Sequence, residues 1–241
     1  MAMSGRFRSG SVPTRSRRRT VGAVLWILQP LCIVAELIAV SQVRTPYSMM
    51  DSTMSEAGAS TCRTIVYAAG SVPVCSPLGW LMNAATVASG VAVIIGVFLL
   101  RPWMPAGWVR ACATILTVFS GLSMVGTGIV PVDLDLNLHI LVAVPQFLTF
   151  PLMLLLIGMV VRKQSRVAAF AGLLGGIICL AGALAFMLRL NEPHGGGLLE
   201  RIALWPWFLT LSVLGYSLFR VIRHSRTVST EHALPARKPH L

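Results

Sequence analysis

A glutamate inside a long apolar segment is the residue in this sequence that is best suited to chemistry. Glu36 is the only acid between residues 21 and 43. An ionisable side chain within a membrane-spanning helix is costly unless it faces protein or water, so Glu36 is a candidate functional residue. A buried carboxylic acid can act as a general acid. The alternative is a structural role, in which Glu36 is neutral or hydrogen-bonds a neighbouring helix.

Polar or amphipathic residues also occur near the same end of the other apolar segments. Asn83 is early in the second segment, Thr127 is late in the third, and Gln146 is two turns inside the fourth. Arg189 closes the fifth segment and Trp205 opens the sixth. All six segments therefore place such a group at a similar depth, although the sequence alone does not bring these groups together.

These residues lead us to expect a pocket that opens toward the outer side, with Glu36, Asn83 and His139 at its floor and wall. The first outer loop, which carries Asp51, would cover the pocket as a lid. The remaining expected ligand contacts are Thr127, Gln146 and Trp205. A concave, mostly apolar site with a few polar groups suits a lipid or isoprenoid, which can enter sideways from the bilayer.

Asp133, Asp135 and His139 form a second group, and three interpretations of it stay open. Asp135 and His139 are four residues apart, so a continuous helix would place them on one face. With Asp133 they could bind a divalent metal, or an Asp could orient the imidazole as an acid–base pair. Alternatively, the Asp residues cap the helix that follows. The sequence lacks the common nucleotide, hydrolase and zinc-protease motifs, and we predict no cofactor or metal.

Long apolar runs supply the elements that must position these residues. Hydrophobic residues make up 55% of the 241 residues and charged residues 12%, about half the charged share of a soluble domain. A run of about 20 apolar residues spans a bilayer as one helix. We therefore predict an all-α integral membrane protein with six transmembrane helices and a long first outer loop. The predicted spans are residues 21–43, 77–100, 111–130, 139–161, 167–190 and 202–222.

The distribution of Lys and Arg predicts the orientation. Sixteen of the 20 basic residues fall in the two tails and in alternate loops, and four fall on the other side. Basic residues mark the cytoplasmic side, so both termini are predicted to be cytoplasmic, in a bacterial cytoplasmic membrane. The net charge of +12 then reflects topology and does not indicate a nucleic-acid partner. Residues 1–20 and 223–241 are predicted to be disordered tails.

Two of the five cysteines, Cys62 and Cys75, lie in the long first outer loop. That side of a bacterial membrane is oxidising, which favours a disulfide over two free thiols. Closing a loop of this length would stabilise the folded protein by about 3 kcal/mol in the chain-entropy model.

Several strings of residues in this chain are unusual: residues 46–59, Cys62, 75–77, 82–83, 128–131, an acidic pair, His139 and 204–206. Together these strings resemble the family called domain of unknown function 998. Its members look like multi-pass membrane proteins with no agreed activity, and the resemblance covers about residues 21–222. The family pattern has Ile-Ser-Asp-Leu-Gly where this chain has residues 54–58, Met-Ser-Glu-Ala-Gly, so the acid is kept in type but lengthened at Glu56. The resemblance supports the topology and implies no reaction.

Three functions stay open at this point. The first is a binding or accessory protein that handles a lipid or isoprenoid in the outer leaflet, with membrane lipids as its partners. The second is an intramembrane enzyme in which Glu36 protonates or hydrolyses a lipidic substrate, assisted by Asp133 or His139. The third is a proton-coupled transporter with Glu36 as its proton carrier, although we find no internal repeat. The oligomeric state stays open.

Overall fold

The described residues fold mainly into helices in a computed structural model, which covers residues 12–68, 70–188 and 195–231. Two short strands form one antiparallel hairpin, in which Arg63 pairs with Val74 and Tyr67 with Gly70. The helices are α1 Val12–Ile27, α2 Leu31–Val40, α3 Met54–Ala57, α4 Gly79–Leu100, α5 Trp108–Ile129, α6 Leu136–Val161, α7 Arg166–Leu188 and α8 Gly196–Glu231, and the strands are β1 Arg63–Tyr67 and β2 Gly70–Val74.

Six segments in the described part of the chain are long and apolar enough to cross a membrane, which confirms the predicted number. The first comprises α1 and α2, and the other five are α4 to α8. Each segment turns large apolar side chains outward, as a helix in contact with lipid does. Examples, one from each span with its exposed fraction, are Leu31 57%, Phe98 53%, Phe119 57%, Leu141 69%, Phe170 67% and Leu209 50%.

The six spans form a closed ring in which each packs against the next along the chain. The last span, α8, also packs against α1, and α2 contacts both α4 and α8. We call the end of this bundle that carries residues 41–78 the loop end. The opposite end, which carries residues 101–107 and 162–165, is the basic end. A closed ring encloses an interior, and polar side chains at the loop end can meet there.

The first span is interrupted at Pro30, which the sequence analysis did not predict. Proline has no backbone N–H to donate, so the regular bonding of the helix stops and α2 begins at Leu31. Beside the break, the Gln29 side chain is buried, donates to Leu25 O and accepts from the Ser89 hydroxyl of α4. These bonds satisfy an amide that would be costly in an apolar surrounding.

Several helix bounds differ from the prediction. Helix α8 begins at Gly196 rather than 202, so Glu200 and Arg201 belong to a helix and not to an outer loop. It continues to Glu231, and α1 begins at Val12, so parts of both predicted disordered tails are helical. Arg189 and the rest of the predicted tails, residues 1–11 and 232–241, lie outside the described residues.

Glycines let α6 and α7 approach each other closely. A Cβ atom on Gly172 of α7 would lie 2.8 Å from Gly158 Cα of α6, a distance that real Cβ atoms do not reach. Gly176, one turn along α7, would place its Cβ 3.0 Å from Pro151 O. The step from Gly172 to Gly176 is therefore a helix-packing motif of the small-residue type.

Residues 41–78 form a folded segment, which we call the loop cap. The short helix α3 begins with a capping box, in which Thr53 Oγ1 accepts from Glu56 N and Glu56 Oε2 accepts from Thr53 N. A disulfide joins Cys62 and Cys75 at the base of the hairpin, which confirms the predicted bond. The hairpin side chain Ile65 is buried in a small apolar cluster beneath it.

Substitution of Gly172 tests the close packing of α6 and α7. Gly172→Ala forces two backbones apart, and we expect the free energy of unfolding in detergent to fall by about 1–3 kcal/mol. Gly196→Ala is the matched control, because its Cβ would lie 3.8 Å from the nearest atom, an ordinary contact. Thermal unfolding of both variants measures the difference, and equal melting temperatures would contradict the observed packing.

Candidate functional site

A buried ion pair connects the first and last spans at the loop end. Arg201 Nε donates to Glu36 Oε1 at 2.9 Å, and the two side chains are 4% and 0% exposed. Trp205, one helical turn further along α8, donates its Nε1 hydrogen to Glu36 Oε2 at 2.7 Å. Both carboxylate oxygens of Glu36 are therefore occupied, as the structural alternative of the sequence analysis describes.

The rest of the Arg201 guanidinium holds the loop cap. Its Nη1 donates to the carbonyl oxygens of Met49 at 2.8 Å, Ser52 at 2.9 Å and Gly197 at 2.9 Å. Its Nη2 donates to the hydroxyl of Tyr47 at 2.6 Å. Burial raises the pKa of Tyr47, so the hydroxyl stays protonated and donates to Thr53 O. A single cation thus joins α2, α8 and the loop cap.

A second buried connection runs from α8 through the loop cap to α6. Glu200 Oε2 accepts from Met54 N, and Ser55 Oγ lies 3.3 Å from Glu200 Oε1. The same Ser55 Oγ lies 3.0 Å from His139 Nε2. His139 Nδ1 lies 2.6 Å from Val130 O, an oxygen that can only accept, so Nδ1 carries a proton. A carboxyl group, a hydroxyl and an imidazole therefore stand in one hydrogen-bonded row.

This row borders a cavity of about 40 Å³ beneath the loop cap. The volume accommodates about three water molecules. Three of its lining residues are methionines, Met54, Met82 and Met124. The polar side chains that line it are Ser55, Asn83, Thr86, Thr127, His139, Gln146 and Glu200. The site is therefore concave and mixed in polarity, with an adaptable apolar wall.

Four of the side chains that the sequence analysis selected meet at this cavity: Asn83, Thr127, His139 and Gln146. Gln146 Nε2 donates to Thr127 Oγ1 at 3.4 Å, and Asn83 Nδ2 donates to Gly58 O of the loop cap at 2.7 Å. Side chains from α4, α5 and α6 therefore line one cavity, and their role in binding stays a prediction. Their convergence could not be deduced from their depth alone.

The other selected residues lie elsewhere in the described part of the chain. Glu36 and Trp205 belong to the ion-pair network and do not line the cavity. Trp205 also does not open the last span, because α8 begins nine residues earlier at Gly196. Asp51 Oδ1 accepts from Gly195 N at 2.9 Å and so fastens the loop cap to the start of α8.

The ring nitrogens of His139 hydrogen-bond Val130 O and Ser55 Oγ rather than Asp133 or Asp135, and Asp133 acts on the imidazole only through its charge. Asp133 accepts from the backbone N–H groups of Ser60 at 2.8 Å and Thr61 at 2.9 Å, and from both hydroxyls. Asp135 caps α6 by accepting from Leu138 N at 3.0 Å, as the capping alternative predicts. Instead of an aspartate, Val130 O orients the imidazole. Among the residues that the structure describes, no three or more His, Cys, Asp and Glu side chains cluster as metal ligands.

The sequence analysis missed three residues of this site: Ser55, Glu200 and Arg201. Glu200 and Arg201 were assigned to an outer loop because the apolar run begins only at Ile202. Their adjacency just before that run was the one available signal, since a helix often extends beyond its apolar part. In the sequence, Ser55 stands out only as part of residues 54–58, which resemble the family pattern. Its contact with His139 joins positions 84 residues apart, which no local pattern indicates.

The pH dependence of stability tests the role of Asp133. Burial alone would raise the pKa of Asp133, but the bonds from Ser60 and Thr61 together lower it below the usual value of 3.8. A lowered pKa adds stability above the unfolded value, which is lost as the pH falls through the folded value. We expect Asp133→Asn to lower the free energy of unfolding at pH 7 by about 1–3 kcal/mol.

The difference in free energy of unfolding between Asp133→Asn and the wild type should shrink as the pH falls below the usual pKa of a carboxyl. Unfolding in detergent at several pH values measures this difference. Asp135→Asn is the matched control, because asparagine caps a helix as well as aspartate does. A deficit for Asp133→Asn that is the same at every pH would contradict the assigned role.

The chain was compared with known protein families, curated proteins and solved structures. No curated protein and no solved structure gives a significant match. A family model does match, over residues 20–217, and its description is "Protein of unknown function (DUF998)". The match includes the whole of the ion-pair network, the cavity and the loop cap, and it confirms the resemblance carried by the loop strings. The chain is a multi-pass membrane protein of the DUF998 family.

Proposed function

We propose that this protein binds the polar end of a lipid or isoprenoid in the cavity beneath the loop cap. The observation that carries the proposal is the convergence of Asn83, Thr127, His139 and Gln146 on one cavity at the loop end. A ligand group in this space would meet amide, hydroxyl and imidazole side chains. A soluble ligand would gain little from an apolar wall at membrane depth, whereas a lipidic ligand arrives through the bilayer.

The volume of the cavity defines how such a ligand must bind. A space of about 40 Å³ is an order of magnitude smaller than the 300–1,000 Å³ of a typical small-molecule site. Only a polar end group fits, so the apolar tail must remain among the helices or in the bilayer. Met54, Met82 and Met124 line the wall, and unbranched methionine side chains repack readily around an entering group.

The loop cap acts as a lid in this proposal. Its contacts with the bundle involve Arg201, Glu200 and Asn83, which bind backbone groups of residues 49–58. Because Glu200 and Asn83 line the cavity, an entering ligand must break or bypass their bonds to the loop cap. We therefore expect binding to be coupled to displacement of this part of the cap, while the disulfide-closed hairpin keeps its fold.

The other functions receive different support. A proton carrier must release and regain its proton, but Glu36 is held by Arg201 and Trp205 on both oxygens, which disfavours the transporter. The same contacts remove Glu36 as the acid of an intramembrane enzyme. An enzyme remains a candidate only through the contact of Ser55 with His139.

We also propose the orientation that the basic residues predict, with the loop cap outside a bacterial cytoplasmic membrane. The disulfide between Cys62 and Cys75 is consistent with an oxidising compartment on that side. The basic end carries Arg101, Arg110 and Arg162, which suits contact with anionic lipid headgroups on the cytoplasmic side.

Native mass spectrometry of the protein purified in mild detergent tests the proposed binding. We expect a specific lipid or isoprenoid to be retained, and we expect Gln146→Leu to reduce its retention at least severalfold, because this change removes a polar contact inside the cavity. Thr149→Val is the matched control on the same helix, since Thr149 binds Ser120 and does not line the cavity. Retention of bulk phospholipid only, equal in both variants, would contradict the proposal.

A further inference from the structure

Ser55 and His139 meet the geometric requirements of a nucleophile and its general base. The oxygen and Nε2 are 3.0 Å apart, within the reach needed for direct proton transfer. The Nδ1 proton is committed to Val130 O, so when the imidazole is neutral its Nε2 presents a lone pair to the hydroxyl. A backbone carbonyl here orients the ring, a task that a carboxylate performs in a Ser-His-Asp triad.

The protons shared by Glu200, Ser55 and His139 determine whether the Ser55 hydroxyl points at His139. Ser55 has one hydroxyl proton but contacts two groups, Nε2 of His139 and Oε1 of Glu200. If Glu200 is a carboxylic acid, it donates to Ser55 Oγ, and the serine proton is free to point at Nε2. If Glu200 is a carboxylate, both contacts are satisfied only when His139 is a cation. The first arrangement has a neutral imidazole and is the one ready for catalysis.

The position of the pair limits the substrate. Ser55 Oγ borders a cavity whose wall includes the apolar side chains of Met82, Leu204 and Phe208, which the part of a ligand next to its polar end group would contact. No Lys or Arg is among the lining residues within the described part of the chain, so a phosphate or other anion has no partner cation there. The group that reacts at Ser55 is therefore uncharged and attached to an apolar chain.

From these observations we propose that Ser55 and His139 are the catalytic residues of an acyl-transfer site for neutral carboxylic esters of lipids. The proposal rests on the proposed function, because it takes the bound lipid as the substrate. Ser55 is the nucleophile and His139 is the general base and acid. Glu200 is a positioning residue that binds the Ser55 hydroxyl.

The reaction balances with water as the only co-reactant. Ser55 Oγ forms a bond to the ester carbonyl carbon while its proton passes to His139 Nε2. The ester C–O bond then breaks, and the proton passes from Nε2 to the oxygen of the departing alcohol. Water next attacks the acyl-serine and gives a proton to Nε2. The bond between Oγ and the acyl carbon breaks, the proton returns to Oγ, and a carboxylic acid leaves.

A fluorophosphonate probe with a long alkyl chain tests the nucleophile, since it forms an Oγ–P bond and releases fluoride. We expect peptide mass spectrometry of the labelled full-length protein to place the adduct on Ser55. His139→Gln should slow labelling by about 10²-fold or more, because general-base help is lost. Ser76→Ala is the matched control in the same loop cap, since the Ser76 hydroxyl binds Ala57 O and no histidine, and its labelling should equal that of the wild type.

Glu36→Gln provides a second measurement in case the closed loop cap excludes the probe, because this change weakens the hold of Arg201 on the cap. An adduct on Ser55 in either protein supports the proposal. Absence of the adduct in both, with the Cys62–Cys75 disulfide intact and the protein monodisperse, would overturn it. Ser55→Ala separates the two proposals. An intact ester that stays bound to this variant supports the proposed binding. If the wild-type protein also keeps the bound ester intact over time, the protein binds the ester but does not cleave it.

Discussion

The buried ion pair of Glu36 and Arg201 is the interaction on which the architecture of the loop end depends. Two charges in the interior of a membrane protein are tolerable only when each has partners for all its hydrogen-bonding atoms. Glu36 meets this condition with Arg201 and Trp205, and Arg201 meets it with carbonyl oxygens of the loop cap. The cation therefore requires the cap to be docked. Neither the bundle nor the cap satisfies Arg201 alone, and this shared need connects the membrane helices to the loop cap.

The loop cap accordingly behaves as part of the fold. Its two halves are held by different means. The part around α3 is fastened by polar side chains of α4, α6 and α8. The hairpin is closed by a disulfide, and this half of the cap contacts Val132 and the Asp133 carboxylate. The cavity and the Ser55 hydroxyl lie under the first half. In the proposed binding from the bilayer, this division would let the cover of the cavity move while the hairpin stays folded.

Composition alone predicts the six spans and the single disulfide, because membrane thickness and the redox state of a compartment act on residue type with little regard to context. The details of the site depend on context. Helix α8 starts before its apolar run. A span placed on the apolar residues alone therefore leaves Arg201 in a loop, and the sequence then offers no partner for Glu36. Pro30 breaks α2 from α1 within a run that hydropathy treats as continuous.

Contacts between residues far apart in the sequence are the part of this site that could not be predicted from the sequence. Asn83, Thr127, His139 and Gln146 were selectable because each is a polar residue in or next to an apolar helix, where polarity is costly. Ser55 and Glu200 lie in polar surroundings of the sequence and carry no such signal. Their roles follow from the contacts of Glu200 with Met54 and Ser55, which lie 146 and 145 positions earlier in the sequence. These contacts form only because the loop cap folds back onto α8.

Hydrogen–deuterium exchange of the loop cap in Glu36→Gln is the most direct test that the ion pair docks the cap. Removing one member of a buried pair costs about 3–5 kcal/mol, and a change of 1.4 kcal/mol in an opening equilibrium alters exchange tenfold. We predict at least tenfold faster exchange in residues 49–58, with the hairpin strands β1 and β2 unchanged as an internal reference. Equal exchange in residues 49–58 of the variant and the wild type would contradict the account.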